Sequence, residues 1–361
     1  MIKKILFIIT GGTIAGNVAA NDVTQQVQTG AEEFMAQLKS ATDTIRLNWA
    51  IDVQPSVLTL FNVDSTDMNP AHWTAMASAI ADSYDEFDAF IIAHGTNTMG
   101  YSAAALSFAL ENINKPVIFT GAQVPLGYLG SDAITNLVNS LRLAVWQYHQ
   151  IKGVYGVFGS KVISGTRIKK GTDFDYDPFS AFQKGSIGQI GRFIKIDTGA
   201  LERYVAYLSK IKPLAIQSRA LSVKKEFQTE CIASLTEFPG MSPDIFKVLV
   251  EQGGIKGFIF RAFGAGDSSA SLRPAYHFLK DHSIPIVVTT QAPTGVASLV
   301  VNDGGKYLLD NDLAIPAHDM SIESITAKLA WCLGQKLDYE AIKAMMVRDL
   351  HGEITVESEL L

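Results

Sequence analysis

Cysteine is nearly absent from this sequence. Cys231 and Cys332 are the two in 361 residues, far apart and in neither a CxxC pair nor a nucleophile signature. No disulfide framework is expected, which fits a reducing compartment. The seven histidines form no HExxH and no pair at zinc-ligand spacing, so no metal site is expected. An excess of positive charge is missing too. The formal net charge of -6 gives no electrostatic reason to expect nucleic acid or an anionic membrane as partner. Long apolar runs are also absent, and none approaches the roughly 20 residues of a membrane span. Near the start, Lys3-Lys4 precede an apolar run lasting only from Ile5 to Ile9. An export signal needs a core of about 7–15 apolar residues. We expect a buried first strand and a cytoplasmic location.

What is present is ordinary globular material, 47% hydrophobic and 18% charged, enough for two buried sheets. Single cores stop growing at roughly 250–300 residues, so this length suggests two domains. Apolar runs of strand length alternate with amphipathic segments of helix length. Strands are expected at Lys3–Ile9, Ala89–Ala93, Pro116–Thr120, Val154–Phe158 and Lys161–Ile163, with a strand end over Thr59–Val63. Helices are expected at Ala31–Lys39, from Asn69-Pro70 to about Tyr84, at Tyr101–Leu110 and at Asp132–Tyr148. Alternating βα units imply a mostly parallel sheet covered on both faces.

The rhythm fails from about Asp197 to Phe227, which reads as a linker. It resumes with strands at Ile232–Leu235, Gly257–Phe260 and Ile286–Thr290. Helices follow at Pro243–Glu251, Ser269–Asp281, Ile322–Leu333 and Tyr339–Val347. The expected fold is α/β: a larger N-terminal parallel-sheet domain over 1–200, a linker over 201–227 and a smaller C-terminal α/β domain over 228–361. Ligands of open parallel sheets bind beyond the carboxyl ends of the strands. The loops after Ile9, Val63, Ala93 and Thr120 are where chemistry belongs.

The first of these loops is Thr10-Gly11-Gly12-Thr13-Ile14-Ala15-Gly16. A plain glycine-rich turn would account for it. A dinucleotide fingerprint would not, because the third glycine position is held by Thr13, whose Cβ would obstruct a pyrophosphate. Thr13 suits a hydroxyl nucleophile among exposed backbone N–H groups able to hold an oxyanion. The loop Ala93-His94-Gly95-Thr96-Asn97-Thr98-Met99 is a second hydroxyl-rich stretch, although Thr and Asn also serve ordinary turns. In the third, Val63-Asp64-Ser65-Thr66-Asp67-Met68, Asp67 or Ser65 could be plain helix caps, or Ser65 could present its hydroxyl to a substrate carboxylate. In the fourth, Thr120-Gly121-Ala122-Gln123, the Ala122 carbonyl is a plausible acceptor for a substrate amide.

Taken together these motifs resemble the bacterial-type asparaginase family. Thr-Gly-Gly-Thr-Ile-Ala and, about 80 residues on, His-Gly-Thr-x-Thr-Met carry the resemblance. Asp64-Ser65-x-Asp67-Met68, Thr120-Gly121-Ala122-Gln123-x-Pro125, Ser131-Asp132-x-x-x-Asn136-Leu137 and Arg167-x-x-Lys170 support it. It extends to Phe238-Pro239-Gly240-Met241 and Asp319-Met320-Ser321-x-Glu323, and the details look closest to the cytoplasmic type I branch. The resemblance implies hydrolysis of L-asparagine to L-aspartate and ammonia. Thr13 would form an acyl-enzyme, and Thr96 with Lys170 would form a second hydroxyl relay. Gly12, Asp64, Ser65 and Thr66 would help hold the substrate, together with Gly95, Asn97 and Ala122. It implies no metal or organic cofactor, and a homodimer or homotetramer.

Three departures stand out. The family usually has Asp where this chain has Asn97, and that Asp binds the substrate's α-ammonium. It also carries a Tyr about a dozen residues after the nucleophile, whereas Asn17–Gly30 holds no aromatic residue. A cysteine associated with an allosteric pocket corresponds here to Ala292. Two alternatives therefore stay open: the same mechanism on an amide lacking a free α-ammonium, and a non-catalytic amino-acid-binding descendant.

Overall fold

The computed structural model describes residues 1–11, 31–126, 128–146, 151–197, 199 and 220–355, the first seven of α1 by backbone alone. They divide into two compact units, Met1–Lys225 and Glu226–Leu361. Most of the segment 201–227 that reads as a linker lies outside the described residues. Its end, Ser222–Val223, pairs antiparallel with Leu110–Glu111 of the N-terminal unit.

In the N-terminal unit the strands are β1 (Ile2–Ile9), β2 (Asp52–Thr59), β3 (Ala89–Ala93), β4 (Leu110–Glu111), β5 (Pro116–Thr120), β6 (Gly153–Phe158), β7 (Lys161–Ser164), β8 (Ile168–Lys170), β9 (Phe179–Ala181), β10 (Gly188–Ile190), β11 (Ile194–Ile196) and β12 (Ser222–Val223). The helices are α1 (Ala31–Trp49), α2 (Pro70–Asp82), α3 (Met99–Ala109) and α4 (Ala133–Ala144). The main sheet has the order β11-β10-β7-β6-β5-β3-β1-β2. Its strands β2, β1, β3, β5 and β6 are parallel; β7, β10 and β11 each pair antiparallel with their neighbours. The apolar runs of β3 and the later part of β1 are buried completely, as central strands covered on both faces must be. Leu38, Ala41 and Ile45 of α1 and Leu137 and Leu141 of α4 pack on the sheet.

Two differences from the sequence reading are instructive. The strand end expected over Thr59–Val63 is in fact the end of β2, which runs from Asp52 to Thr59 and contains Pro55. Proline is tolerated there because β2 is an edge strand among the described residues. Its direction can be derived. Asp52 N and Leu60 N both donate to β1, to Met1 O and Ile9 O. The register between the strands is unbroken, so even-numbered N–H groups face β1 and residue 55 faces outward. The second difference is the set of short strands β8 to β11, for which the sequence holds no clear periodicity.

The chain runs from β1 to β2 on one side, then crosses back to β3 on the other. Consecutive βα connections thus diverge around β1, the topological switch point at which open sheets form a crevice. Ile9, Ala93 and Thr120 sit level across β1, β3 and β5. The loops leaving them must therefore start side by side.

The C-terminal unit holds a four-stranded parallel sheet of β13 (Ile232–Thr236), β14 (Gly257–Ala262), β15 (Ile286–Thr290) and β16 (Ile315–Pro316), in that order. Its helices are α5 (Asp244–Glu251), α6 (Arg273–Asp281), α7 (Asp303–Asp310), α8 (Ile322–Gly334) and α9 (Tyr339–Met346). Phe246, Phe258, Phe260, Tyr276 and Leu279 centre its core. Among the described residues no helix is long and apolar enough to cross a membrane.

Candidate active site

Backbone bonds continue past the strand ends and lock the loops together. Thr10 donates from N (3.1 Å) and from Oγ1 (2.9 Å) to Ala93 O, and His94 N donates to Thr120 O at 2.9 Å. Val63 N donates to Thr10 O at 3.1 Å. The stretch after β2 is thereby drawn against the end of β1. Gly11 has φ +108°, and a Cβ there would run into the Val63 backbone. This turn requires glycine. Gly12 and Thr13 follow immediately and lie outside the described residues, as does the stretch Asn17–Gly30.

The loop 64–68 is a short 3₁₀ turn over Ser65–Asp67, capped by Asp64, whose carboxylate accepts from Thr66 N at 2.8 Å. The caps are thus Asp64 and, for α2, Asn69, rather than Ser65 or Asp67. Ser65 is buried, and Thr98 Oγ1 donates to its carbonyl at 2.6 Å. A Cβ on Gly95 would lie 2.6 Å from Ser65 Oγ, so close contact between the two loops depends on that glycine.

Four side chains then join in one run of hydrogen bonds. Lys170 Nζ donates to Thr96 Oγ1 at 2.9 Å and to Asn97 Oδ1 at 2.8 Å. Asn97 Nδ2 donates to Thr66 Oγ1 at 3.3 Å. Lys170 ends β8, which is held by β9 through the pair Lys170↔Phe179. Burial lowers the pKa of Lys170, and the charge of Asp173 acts in the opposite direction. Both hydrogen-bond acceptors of the ammonium are neutral, so neither adds a full negative charge to hold the proton.

Ala122 is flanked by anchored residues. Asn136 Nδ2 donates to Gly121 O at 2.9 Å, and the Asp132 carboxylate accepts from Gln123 N (3.0 Å), Val124 N (3.0 Å) and Asn136 Nδ2 (2.9 Å). Asn136 Oδ1 accepts from Gly159 N at 2.8 Å. A Cβ on Gly121 would lie 3.4 Å from Thr96 Cγ2, so this loop abuts the one carrying Thr96. Gln123 Nε2 donates to the carbonyls of Asp173 and Asp175, both at 3.2 Å.

His94 lies under the same loop. Its Nδ1 is 2.7 Å from Gly95 O, which can only accept, so Nδ1 carries the proton. Full burial pushes its pKa down to about 4. Among the described residues no donor reaches Nε2. A neutral imidazole fixed in this way orients the Gly95 carbonyl and is itself no proton carrier near neutrality.

The structure therefore brings Thr96, Asn97, Lys170 and Thr66 into one network, with Asp64, Ser65 and Gly95 beside it and Ala122 on the adjoining loop. Sequence reasoning gives no role to His94, Gln123, Asp132, Asn136 or Asp173. The Asp132-x-x-x-Asn136 spacing is a usable signal, since residues four apart share a helix face. No sequence signal points to Gln123 and Asp173 meeting across fifty positions.

The family described as "Asparaginase, N-terminal" matches residues 4–201, and "Glutaminase/Asparaginase C-terminal domain" matches residues 232–346. L-asparaginase 1 of Escherichia coli K12 is 33% identical over 300 residues, 81% of this chain and 82% of that protein. A glutamyl-tRNA(Gln) amidotransferase component of Pyrococcus abyssi is 31% identical, over 98% of this chain and 77% of that protein. Among solved structures, the thermostable L-asparaginase from Thermococcus kodakarensis superposes with a TM-score of 0.81 at 28% identity, covering 98% of this chain and 99% of its own. L-asparaginase I from Vibrio cholerae gives 0.79 at 31% identity, with the same coverage.

Proposed function

The chain belongs to the asparaginase family and is an L-asparaginase-type amidohydrolase, and from that premise we propose that it converts L-asparagine to L-aspartate and ammonia through a threonine acyl-enzyme. Thr13 Oγ attacks the side-chain amide carbon while its proton passes into the Thr96–Lys170 relay. The tetrahedral oxyanion rests on backbone N–H groups of the Gly12 and Gly95 loops. The relay returns a proton to the leaving nitrogen, and ammonia departs. Water then cleaves the ester, giving the carboxylate and restoring the Thr13 hydroxyl.

The observation carrying this reading is the 2.9 Å bond from Lys170 Nζ to Thr96 Oγ1, with burial lowering the lysine pKa. A base works best with a pKa near the operating pH, and lowering moves a lysine in that direction. The side chains call for no cofactor. We also place the reaction in the cytoplasm, in a homodimer or homotetramer. The N-terminal apolar run supports that location in that it is spent on β1, an interior strand of the sheet.

Ammonia release across amides with and without a free α-amino group tests the activity. Thr13→Ala should abolish release without unfolding the protein. A folded Thr13→Ala variant with near-wild-type turnover would assign the nucleophile elsewhere. A second reading keeps the mechanism and changes the amide to one lacking an α-ammonium. It is favoured by Asn97, whose Oδ1 is engaged by Lys170 and whose Nδ2 is engaged by Thr66. A non-catalytic binder would release no ammonia from any amide.

A further inference from the structure

Lys170 ends β8, and residues 171–178 carry the chain on to β9. Little of this connection is buried: Phe174 is 91% exposed and Tyr176 57%. Asp173, Asp175 and Asp177 alternate with these aromatics. Apolar packing does not hold such a segment, and like charges spaced along it favour opening it. Hydrogen bonds hold it instead. Gly171 N donates to Pro178 O at 2.8 Å and closes its base. From β7, Lys161 Nζ reaches Asp177 Oδ2 at 2.8 Å and donates to Phe179 O at 2.9 Å. Its middle is held by Gln123 Nε2, which donates to the carbonyls of Asp173 and Asp175, both at 3.2 Å. Both partners can only accept, so the nitrogen end of the amide faces them, with one N–H for each.

Gln123 is itself anchored. Its N–H donates to the Asp132 carboxylate at 3.0 and 3.1 Å, and the N–H of Val124 donates there at 3.0 Å. On the other side of Ala122, the Gly121 carbonyl accepts from Asn136 Nδ2 at 2.9 Å. Ala122, whose carbonyl is the acceptor offered to a substrate amide, therefore lies between two fixed residues. One side chain ties that loop to the connection that begins at Lys170. The loop carrying Thr96 closes the circuit, because it abuts Gly121 and accepts from Lys170 Nζ at 2.9 Å.

We propose that Gln123 is a positioning residue, which keeps the Thr96–Lys170 relay in register with the loop that receives the substrate amide. This rests on the amidohydrolase reading and deepens it. The relay has to return a proton to the same nitrogen that the Ala122 carbonyl holds, and a misplacement of about 1 Å in such an arrangement can cost 10²-fold in rate. The side-chain bonds of Gln123 go to the connection and not to Asp64, Ser65 or Thr66. Loss of the tie therefore falls on turnover rather than on affinity.

Gln123→Met keeps the length of the side chain and removes both donors. It should lower kcat for ammonia release from L-asparagine by roughly 10–100-fold, with KM nearly unchanged. Gln123→Arg puts N–H donors back at the same place and should lose less. Lys170 reports directly as well. Burial is what lowers its pKa, so loosening the connection should expose the ammonium and raise its midpoint. Competitive acetylation of the lysine amines with acetic anhydride across pH, read at Lys170 by mass spectrometry, should give a higher midpoint in Gln123→Met than in wild type. Equal losses in the Met and Arg variants overturn the proposal, as do a loss carried by KM and an unmoved Lys170 midpoint. So does a failure of Gln123→Met to fold that Gln123→Arg does not repair, which would make the residue structural. A wild type that releases ammonia from no amide sinks the amidohydrolase reading, and the acetylation midpoint still decides whether Gln123 holds Lys170.

Discussion

Lys170 in the N-terminal unit and Lys328 in the C-terminal unit are both drawn out of solvent, and the chain surrounds them in opposite ways. Lys328 is completely buried on α8. Its Nζ lies 2.7 Å from Glu353 Oε1, a carboxylate with no exposure of its own, and donates to the carbonyls of Met346 and Arg348. Glu353 accepts in addition from Leu350 N at 2.9 Å and His351 N at 2.6 Å. Burial works against its charge, yet the charges of Lys328 and His351 and the side-chain hydrogen bonds with Asp349 and Lys328 outweigh that and keep its pKa low. Lys170 is half-buried and hydrogen-bonds to a hydroxyl and an amide oxygen. The difference teaches what the acceptor decides. A carboxylate fixes the proton on a lysine and makes it a fastener, whereas neutral acceptors position the lysine and leave its proton able to move.

The comparison breaks if the two lysines fail alike. Lys170→Met should lower kcat/KM for ammonia release by about 10²–10⁴-fold, the usual range for a positioned acid–base group. Its unfolding free energy should change little. A denaturant midpoint that falls as far as the activity would show that Lys170 is structural. Lys328→Met should do the reverse. It strands Glu353 as a buried charge without its cation, at a cost of about 3–5 kcal/mol, and the fraction that stays folded should retain normal turnover. Thr96→Val combined with Lys170→Met should be little worse than the more damaged single variant, because members of one relay are not additive.

Asn97→Asp sharpens the comparison by giving Lys170 the kind of neighbour that Lys328 has. A carboxylate favours the ammonium form and raises the lysine pKa. The limb of the pH–rate profile on which activity rises as Lys170 loses its proton should move to higher pH. A limb that stays in place would show that residue 97 does not govern the proton on Lys170.

The smallest effect concerns Asp349. Burial, and then the charge of Glu353, raise its pKa well above that of a free carboxylate. The folded chain keeps a proton there that the unfolded chain has lost. Its contribution to stability therefore declines as pH rises from the unfolded value, about 3.9, toward the folded one. Asp349→Asn should flatten that decline when urea midpoints are compared between about pH 5 and pH 8, while leaving ammonia release alone. An unchanged slope would show that Asp349 ionises as freely in the folded chain as in the unfolded one.

How much is legible in the sequence follows from where each signal is written. β3 and β5 are readable to the residue because a strand buried on both faces is an unbroken apolar run between polar ends. β2 escapes such a reading because an edge strand needs no such run and admits a proline. Strands β8 to β11, three residues each, are too short to show a period. Of the site, Thr96 and Asn97 are legible because loop chemistry concentrates at strand ends, whereas Lys170 is legible only through the resemblance that Arg167-x-x-Lys170 supports. The Gln123 clamp is not, since nothing in either loop marks a partner fifty residues away. His94 is visible as a letter in the motif, while its fixed tautomer needs coordinates.

The outward-facing ring of Pro55 has a consequence beyond the fold. A sheet with a free edge can recruit the edge of another molecule, and at high concentration that is a route to fibres. At the centre of β2 the position that would offer an N–H to an incoming strand offers a saturated ring instead. A chain docking there would lose a ladder bond in mid-strand and meet bulk where it needs close approach. Replacing Pro55 by a strand-forming residue such as valine would turn the last described strand of this sheet into a template.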